Sequence, residues 1–158
     1  MALIDEKILS VTDADSPLIA SLPRPLVFTN GCFDILHRGH VSYLEEAAQF
    51  GRSMLVAVNT DNSVRRQNKG TDRPINPLAD RLALLAALQS VDLVIPFDAE
   101  TPLELIQMIQ PDILVKGGDW PIEQIVGAEE VIKHGGEVRS IRFRYQRSTS
   151  DLINRIRS

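Results

Sequence analysis

The sequence predicts an α/β fold, a doubly wound parallel sheet of five strands. Three observations predict it. Five short apolar, β-prone runs are separated by stretches whose apolar residues recur with the period of a helix, the alternation expected of repeated strand-helix units. Most of the runs are continuous rather than alternating, as in strands buried on both faces. The turns rich in glycine, histidine, asparagine and serine follow strands or open helices, so right-handed crossovers bring them to one edge of the sheet, where such folds bind ligands.

Residues 1–23 carry weak periodicity and end in Leu22-Pro23-Arg24-Pro25, whose prolines interrupt structure. They are expected to form an N-terminal extension ahead of a single domain over 24–158. The extension packs on that domain, or supplies a dimer contact, or acts as a lid. Leu26-Val27-Phe28 makes the first strand, about 25 to 30, and Val41, Leu44, Ala47 and Ala48 mark one face of a helix, about 40 to 50. Gly51 is a candidate for the position after that helix. Between strand and helix lies Thr29-Asn30-Gly31-Cys32-Phe33-Asp34-Ile35-Leu36-His37-Arg38-Gly39-His40. Gly31 and Gly39 let the backbone bend and approach a ligand. His37 and His40, three apart, place both rings on one side of a helix N-terminus whose free N–H groups and dipole favour an anion.

Met54-Leu55-Val56-Ala57-Val58 is the second strand, ending at Asn59-Thr60-Asp61. The basic segment from Ser63 to Gly70 is either a solvated loop or a mobile arm that brings Lys69 over a bound phosphate chain. Asn76-Pro77 reads as N-cap and first helical residue, followed by the stripe Leu78, Leu82, Leu85 and Leu88, with Arg81 near the start. Val91-Asp92-Leu93-Val94-Ile95 is the third strand, closed by Pro96. Thr101-Pro102-Leu103-Glu104 reads as a capping box for a helix burying Leu105, Ile106 and Ile109. The fourth strand, Asp112 to Lys116, delivers a second glycine-rich turn, Gly117-Gly118-Asp119-Trp120. Ile122, Ile125, Val126, Glu129 and Ile132 suggest a helix stopped by His134-Gly135-Gly136, with His134 as a C-terminal dipole partner. Val138 to Ile141 is the fifth strand. Ser148 and Asp151 fit a capping box for a final helix, whose Ser148-Thr149 start is also suited to an anion.

Composition narrows the function. A net charge of −4 argues against a general nucleic-acid binder. No apolar run approaches a membrane span, and Asp5, Glu6 and Lys7 leave no apolar leader, so a cytoplasmic protein is expected. Cys32 is the single cysteine, which excludes an intrachain disulfide and reads as a small buried filler beside the turn.

Neither a Gly-x-Gly-x-x-Gly fingerprint nor a Walker loop occurs. The strand, the Gly-x-Phe-Asp turn and the His-x-Gly-His that follows resemble the signature of the nucleotidyltransferase superfamily. With Ala57-Val58-Asn59-Thr60-Asp61, the stretch from Arg73 to Arg81 and Leu114-Val115-Lys116-Gly117-Gly118-Asp119-Trp120, the chain resembles the adenylyltransferase half of bacterial heptose kinase/adenylyltransferases over about residues 25 to 156. The resemblance implies a Rossmann-like fold and transfer of AMP from ATP to a heptose 1-phosphate, with the sugar kinase half absent. It implies His37, His40, Lys69 and Arg81 as the catalytic set. Thr29, Asn30, Gly31, Phe33, Gly39, Lys116, Gly118, Asp119, Arg147, Ser148 and Thr149 would hold the nucleotide, and Asp34, Asn59 and Trp120 the acceptor. It further implies Mg²⁺ bridging ATP phosphates on unassigned ligands, and relatives of this kind often form homodimers. The family usually writes Ser-Thr-Thr before its last helix; here Arg147 precedes Ser148-Thr149-Ser150. The alternatives are a cytidylyltransferase acting on a polyol or aminoalcohol phosphate, and a nucleotide-binding regulatory module without turnover.

Overall fold

The computed structural model describes residues 3–158; residues 1–2, part of the expected extension, lie outside the described residues. Five parallel strands, β1 (Leu26–Gly31), β2 (Ser53–Asn59), β3 (Leu93–Phe97), β4 (Ile113–Gly117) and β5 (Glu137–Ile141), form one sheet in the order β3-β2-β1-β4-β5. Phe28 of β1 is in register with Leu55 on one side and Leu114 on the other. The chain walks outward from β1 through β2 to β3, then returns to the far side of β1 with β4. That reversal opens a crevice between the carboxyl ends of β1 and β4.

Among the described residues seven α-helices cover the faces: α1 (Pro17–Ala20), α2 (Arg38–Ala48), α3 (Asp61–Arg66), α4 (Leu78–Ala86), α5 (Leu103–Ile109), α6 (Ala128–Lys133) and α7 (Thr149–Arg157). On one face Leu26, Phe28, Leu55 and Ile95 pack with Ile106 of α5 and Val131 of α6. On the other, Val27, Met54, Val56 and Val58 pack with Leu44 of α2 and Leu85 of α4. Each such side chain contributes about 1.5–3 kcal/mol on full burial, so packing rather than helix propensity fixes these short helices. No helix among the described residues is long and apolar enough to cross a membrane.

Residues 3–23 lie along the outer strand. Ile8 bridges Val94 of β3, the Leu9 amide donates to the Val94 carbonyl at 2.9 Å, and Lys7 Nζ donates to the Val91 carbonyl at 2.8 Å. Leu9, Ala14 and Ile19 are buried in the core.

Five local expectations are corrected. Asp61–Arg66 is helical rather than loop, because Thr60 Oγ1 accepts from the Ser63 amide at 3.2 Å and Asp61 and Arg65-Arg66 complement the dipole. Asn76 does not cap α4: its amide nitrogen donates to the Asp34 carbonyl at 2.7 Å, and Pro77 takes the cap position. Thr101 makes no capping box, since α5 starts after Pro102. The helix expected from Ile122 is split into a 3₁₀ turn, Ile122–Gln124, and α6 by Gly127 at φ +86°. Strand β3 also runs through Pro96, which an edge strand tolerates.

Candidate active site

A cavity of about 420 Å³ opens at the β1–β4 crevice. Asn30 and Gly31 reach it from the end of β1, Lys116 and Gly117 from the end of β4, His40 and Tyr43 from α2, and Thr149 and Ser150 from the start of α7. Phe33 holds a left-handed backbone, φ 48°, a conformation that costs a bulky residue about 1–3 kcal/mol. Its ring stands edge-on to His40, with centroids 5.3 Å apart, and a Cβ on Gly31 would lie 3.0 Å from it. The strained turn therefore wedges one wall of the cavity.

The two histidines stack at 3.8 Å, 21° from parallel. His37 is the N-cap of α2, and its Nδ1 accepts the Gly39 amide at 3.1 Å, which leaves Nε2 carrying the proton of the neutral ring. Burial, then the nearby Arg147 charge, holds the His37 pKa below its ordinary value. His40 is pushed down to about 4, first by burial and then by His37. Its Nδ1 is buried and has no hydrogen-bond partner among the described residues. A buried polar atom without a partner costs about 1–3 kcal/mol, so this ring is organised for something other than stability.

Lys69 and Lys116 line the same cavity. Lys69 Nζ lies 3.4 Å from Cys32 Sγ, whose thiol also faces Gln67 Oε1 at 3.4 Å. Lys116 has its pKa lowered, first by burial and then by the Lys69 charge, against an opposing pull from Cys32. The cavity thus gathers two ammonium groups whose charges repel one another.

Other candidates are drawn into the scaffold. Arg81 is 0% exposed. Its Nη1 donates to the carbonyls of Cys32 and Asn59, both at 2.7 Å, its Nε to the Asn76 carbonyl at 3.0 Å, and its Nη2 to Asp61 at 2.7 Å. Four of its five N–H groups are consumed, so it fastens the turn rather than reaching a phosphate. Asp34 lies in the cavity lining with its carboxylate taken up inside the protein: it accepts from Arg73 Nε at 2.5 Å and from the Ile75 and Asn76 amides at 3.0 and 2.9 Å. Burial pushes its pKa up, and those donors outweigh burial and leave it lowered. The Thr29 hydroxyl is buried against Tyr43 at 2.5 Å, and Asn59 is buried with Nδ2 on Ser63 at 3.0 Å. Burial raises the Tyr43 pKa despite the Thr29 hydrogen bond, so the phenol stays protonated. Both Thr29 and Asn59 brace the strand ends and neither lines the main cavity, whereas Asn59 lines a smaller cavity beside it.

At the second turn Gly118 adopts φ +108°, and a Cβ there would meet the Trp120 indole at 2.8 Å. Trp120 is 48% exposed, and Asp119 pairs with Arg142 at 3.2 Å in solvent. Ser148 caps α7 by accepting the Asp151 amide at 3.0 Å, and Thr149 Oγ1 donates to the Ile35 carbonyl at 3.2 Å. Those bonds hold the N-terminus of α7 beside that of α2. The sequence reading missed Arg73, the partner of Asp34, and Phe143, which lines the cavity and packs on Tyr43 at 5.8 Å. It also missed a smaller cavity of about 150 Å³ that shares Asn30 and Lys116 with the first and is reached from the loop after β3. A Glu-Thr-Pro following a strand was the available signal.

Among the described residues no group of three or more His, Cys, Asp or Glu is placed to hold a metal ion. The donor set around the cavity is cationic and amide-rich, which fits a divalent ion held by ligand oxygens.

Comparison with known proteins joins this geometry to a family. The sequence model described as cytidylyltransferase-like matches residues 28–155. The chain belongs to the cytidylyltransferase-like family. Within that family it is 52% identical over 157 residues to a protein named D-beta-D-heptose 1-phosphate adenylyltransferase from Bordetella bronchiseptica, covering 99% of this chain and 97% of that one. It is 57% identical over 131 residues to the bifunctional protein HldE of Histophilus somni, and this match spans 83% of the chain but only 27% of that protein. A neighbour of known structure, a lipopolysaccharide core biosynthesis protein from Thermoplasma volcanium, superposes with a TM-score of 0.61 at 31% identity, covering 77% of this chain and 98% of that one. Pantothenate synthetase from Thermus thermophilus, with a TM-score of 0.58 at 20% identity over 86% of this chain and 61% of its own, shares the fold alone.

Proposed function

We propose that the chain is an adenylyltransferase that moves AMP from ATP to a heptose 1-phosphate, giving ADP-heptose and pyrophosphate for the lipopolysaccharide inner core. The observation that carries this reading is the cavity lined by His40, Lys69 and Lys116 at the N-termini of α2 and α7, with His37 stacked against His40. The 52% identity to a heptose 1-phosphate adenylyltransferase over nearly the whole chain supports the choice of substrates.

The acceptor phosphate is already anionic at neutral pH. Its oxygen forms a bond to the α-phosphorus while the bond to the β-phosphate oxygen breaks and pyrophosphate leaves. No general base is required, and catalysis is positioning and charge neutralisation. His37, through Nε2–H, and His40 donate to phosphate oxygens. Lys69 and Lys116 neutralise the developing charge, and the amides of the α2 and α7 N-termini add to them. Asn30 and the backbone of Gly31 and Phe33 fix the nucleotide, with Gly39 keeping the α2 entrance narrow and Gly118-Asp119-Trp120 bordering the nucleoside. Arg147 flanks His37 at the mouth. Arg81 and Asp34 act as positioning residues. Mg²⁺ bound to ATP would supply charge neutralisation between phosphate oxygens. The proposal places the enzyme in the cytoplasm with small-molecule substrates and neither nucleic acid nor membrane as partner, and the homodimer that the resemblance implies is to be tested by a measurement of solution mass.

Pyrophosphate release, measured with Mg²⁺ and with ATP or CTP against heptose 1-phosphate or glycerol 3-phosphate, tests the reading. Release only with ATP and the heptose phosphate is expected. A preference for CTP would reassign the enzyme to cytidylyl transfer, and binding without turnover would make it a regulatory module.

A further inference from the structure

We propose that the smaller cavity is the acceptor-sugar subsite, in which Glu100, helped by Thr101 and Gln67, selects a polyhydroxylated acceptor by taking and giving hydroxyl hydrogen bonds. The inference rests on the adenylyltransferase reading and assigns the half of the reaction that reading leaves without residues.

Direction comes from the displacement. Attacking and leaving oxygens lie roughly in line across the phosphorus. The histidine pair and the N-termini of α2 and α7 sit on one face of the sheet and draw the leaving pyrophosphate there. The attacking oxygen must arrive from the opposite face. The smaller cavity lies there, walled by Pro102 at the start of α5 and by Ile125 and Val126 ahead of α6, and it meets the larger one at Asn30 and Lys116. At about 150 Å³ against about 420 Å³, it is the space for the smaller substrate.

Its chemistry suits a sugar held by the far end. Glu100 and Thr101 line the cavity beside Asn59, and their side chains make no hydrogen bond or ion pair among the described residues. Gln67 engages only its Oε1, toward the Cys32 thiol, leaving its amide N–H groups to donate. A carboxylate accepts from two neighbouring hydroxyls, and the Gln67 amide donates to a third. The charges also orient the acceptor: Glu100 repels a phosphate while Lys116, at the junction, attracts it. The phosphate therefore lies at the junction, against the α-phosphorus, and the hydroxyls lie at Glu100. The walls of Pro102 and Val126 face the C–H edges of the ring.

The test is steady-state kinetics of Glu100→Gln and Thr101→Val, varying heptose 1-phosphate and ATP separately. Glu100 is exposed and unpaired, so the fold does not depend on it. Losing a charged acceptor from hydroxyl hydrogen bonds is expected to raise KM for the sugar phosphate about 10- to 100-fold in Glu100→Gln, with kcat and the KM for ATP changed less than about twofold. Thr101→Val is expected to show the same pattern at about one-third of the effect or less. An unchanged sugar KM in an active Glu100→Gln enzyme overturns the subsite alone. A raised KM for ATP instead overturns it by placing the nucleobase there. If the unsubstituted chain fails to turn over heptose 1-phosphate, the adenylyltransferase reading falls first and takes the subsite with it.

Discussion

Arg81 and Lys69 are both cations that touch Cys32, and they meet it in opposite ways. Arg81 comes from beneath, buried, with its guanidinium spread over the Cys32 and Asn59 carbonyls, the Asn76 carbonyl and Asp61. Lys69 comes from above, exposed, and its recorded contact is the Cys32 thiol at 3.4 Å. A buried charge is stable only when its donors are largely consumed, so Arg81, with four of its five N–H groups spent inside the protein, is held to the scaffold. A cation meant for a ligand has to be left wanting one. The same division separates Asp34, saturated by Arg73 and two amides, from His40, whose Nδ1 has no partner among the described residues. The floor of the site is satisfied and its inner wall is not.

The largest effect expected from this contrast is on the floor. Arg81→Ala strands three carbonyls and Asp61, and removing one member of a buried charged cluster costs about 3–5 kcal/mol. The denaturation midpoint should fall accordingly, and Arg81→Lys should not restore it, because one ammonium cannot span four acceptors in those directions. A stable but inactive Arg81→Ala protein would break the contrast. On the wall the sign of the stability effect changes. His40→Ala should lower kcat about a hundredfold or more while leaving the unfolding midpoint within experimental scatter or slightly raised. Full turnover by that variant would remove His40 from the reaction.

A smaller effect lies in pH. The His40 pKa is about 4 against an ordinary 6.5, so the unfolded chain binds its proton more readily. Stability is complete above about 6.5 and is lost as pH falls toward about 4. Asp34, lowered from 3.8, titrates below that window. His40→Gln should flatten the decline in melting temperature between those two pH values, leaving the part due to His37. The smallest effect belongs to Arg142 and Asp119, whose side chains are 83% and 76% exposed. Arg142→Ala should change stability by less than about 0.5 kcal/mol, and a larger loss would mean the pair does more than the solvent screening around it permits.

Much of the fold was legible. Continuous apolar runs such as Met54 to Val58 can bury both faces only in a covered sheet, and the strands fall within about two residues of their expected ends. The placement of His37, His40 and Ser148 at helix starts was legible too, because it follows from local spacing and capping. The roles of Arg81, Asp34 and Thr29 were not. Sequence places a side chain at an edge of the sheet, and it does not say whether that side chain turns outward or is spent on a neighbour forty residues away, as Asp34 is on Arg73. Helix α3 was hidden for a related reason: six residues carry too little periodicity, and the Thr60 cap that starts it was read as the end of a strand.

The contact between Ile8 and Val94 bears on how this protein is handled. The family match begins at residue 28, so a chain trimmed to that boundary would shed Leu9, Ala14 and Ile19 together with the backbone bonds that screen β3. Its outermost strand would then present unpaired amides and bare apolar surface to every other copy in solution. Such a trimmed chain would clump on storage even with every phosphate-facing side chain in place, and its apparent inactivity would be a failure of solubility mistaken for a failure of chemistry.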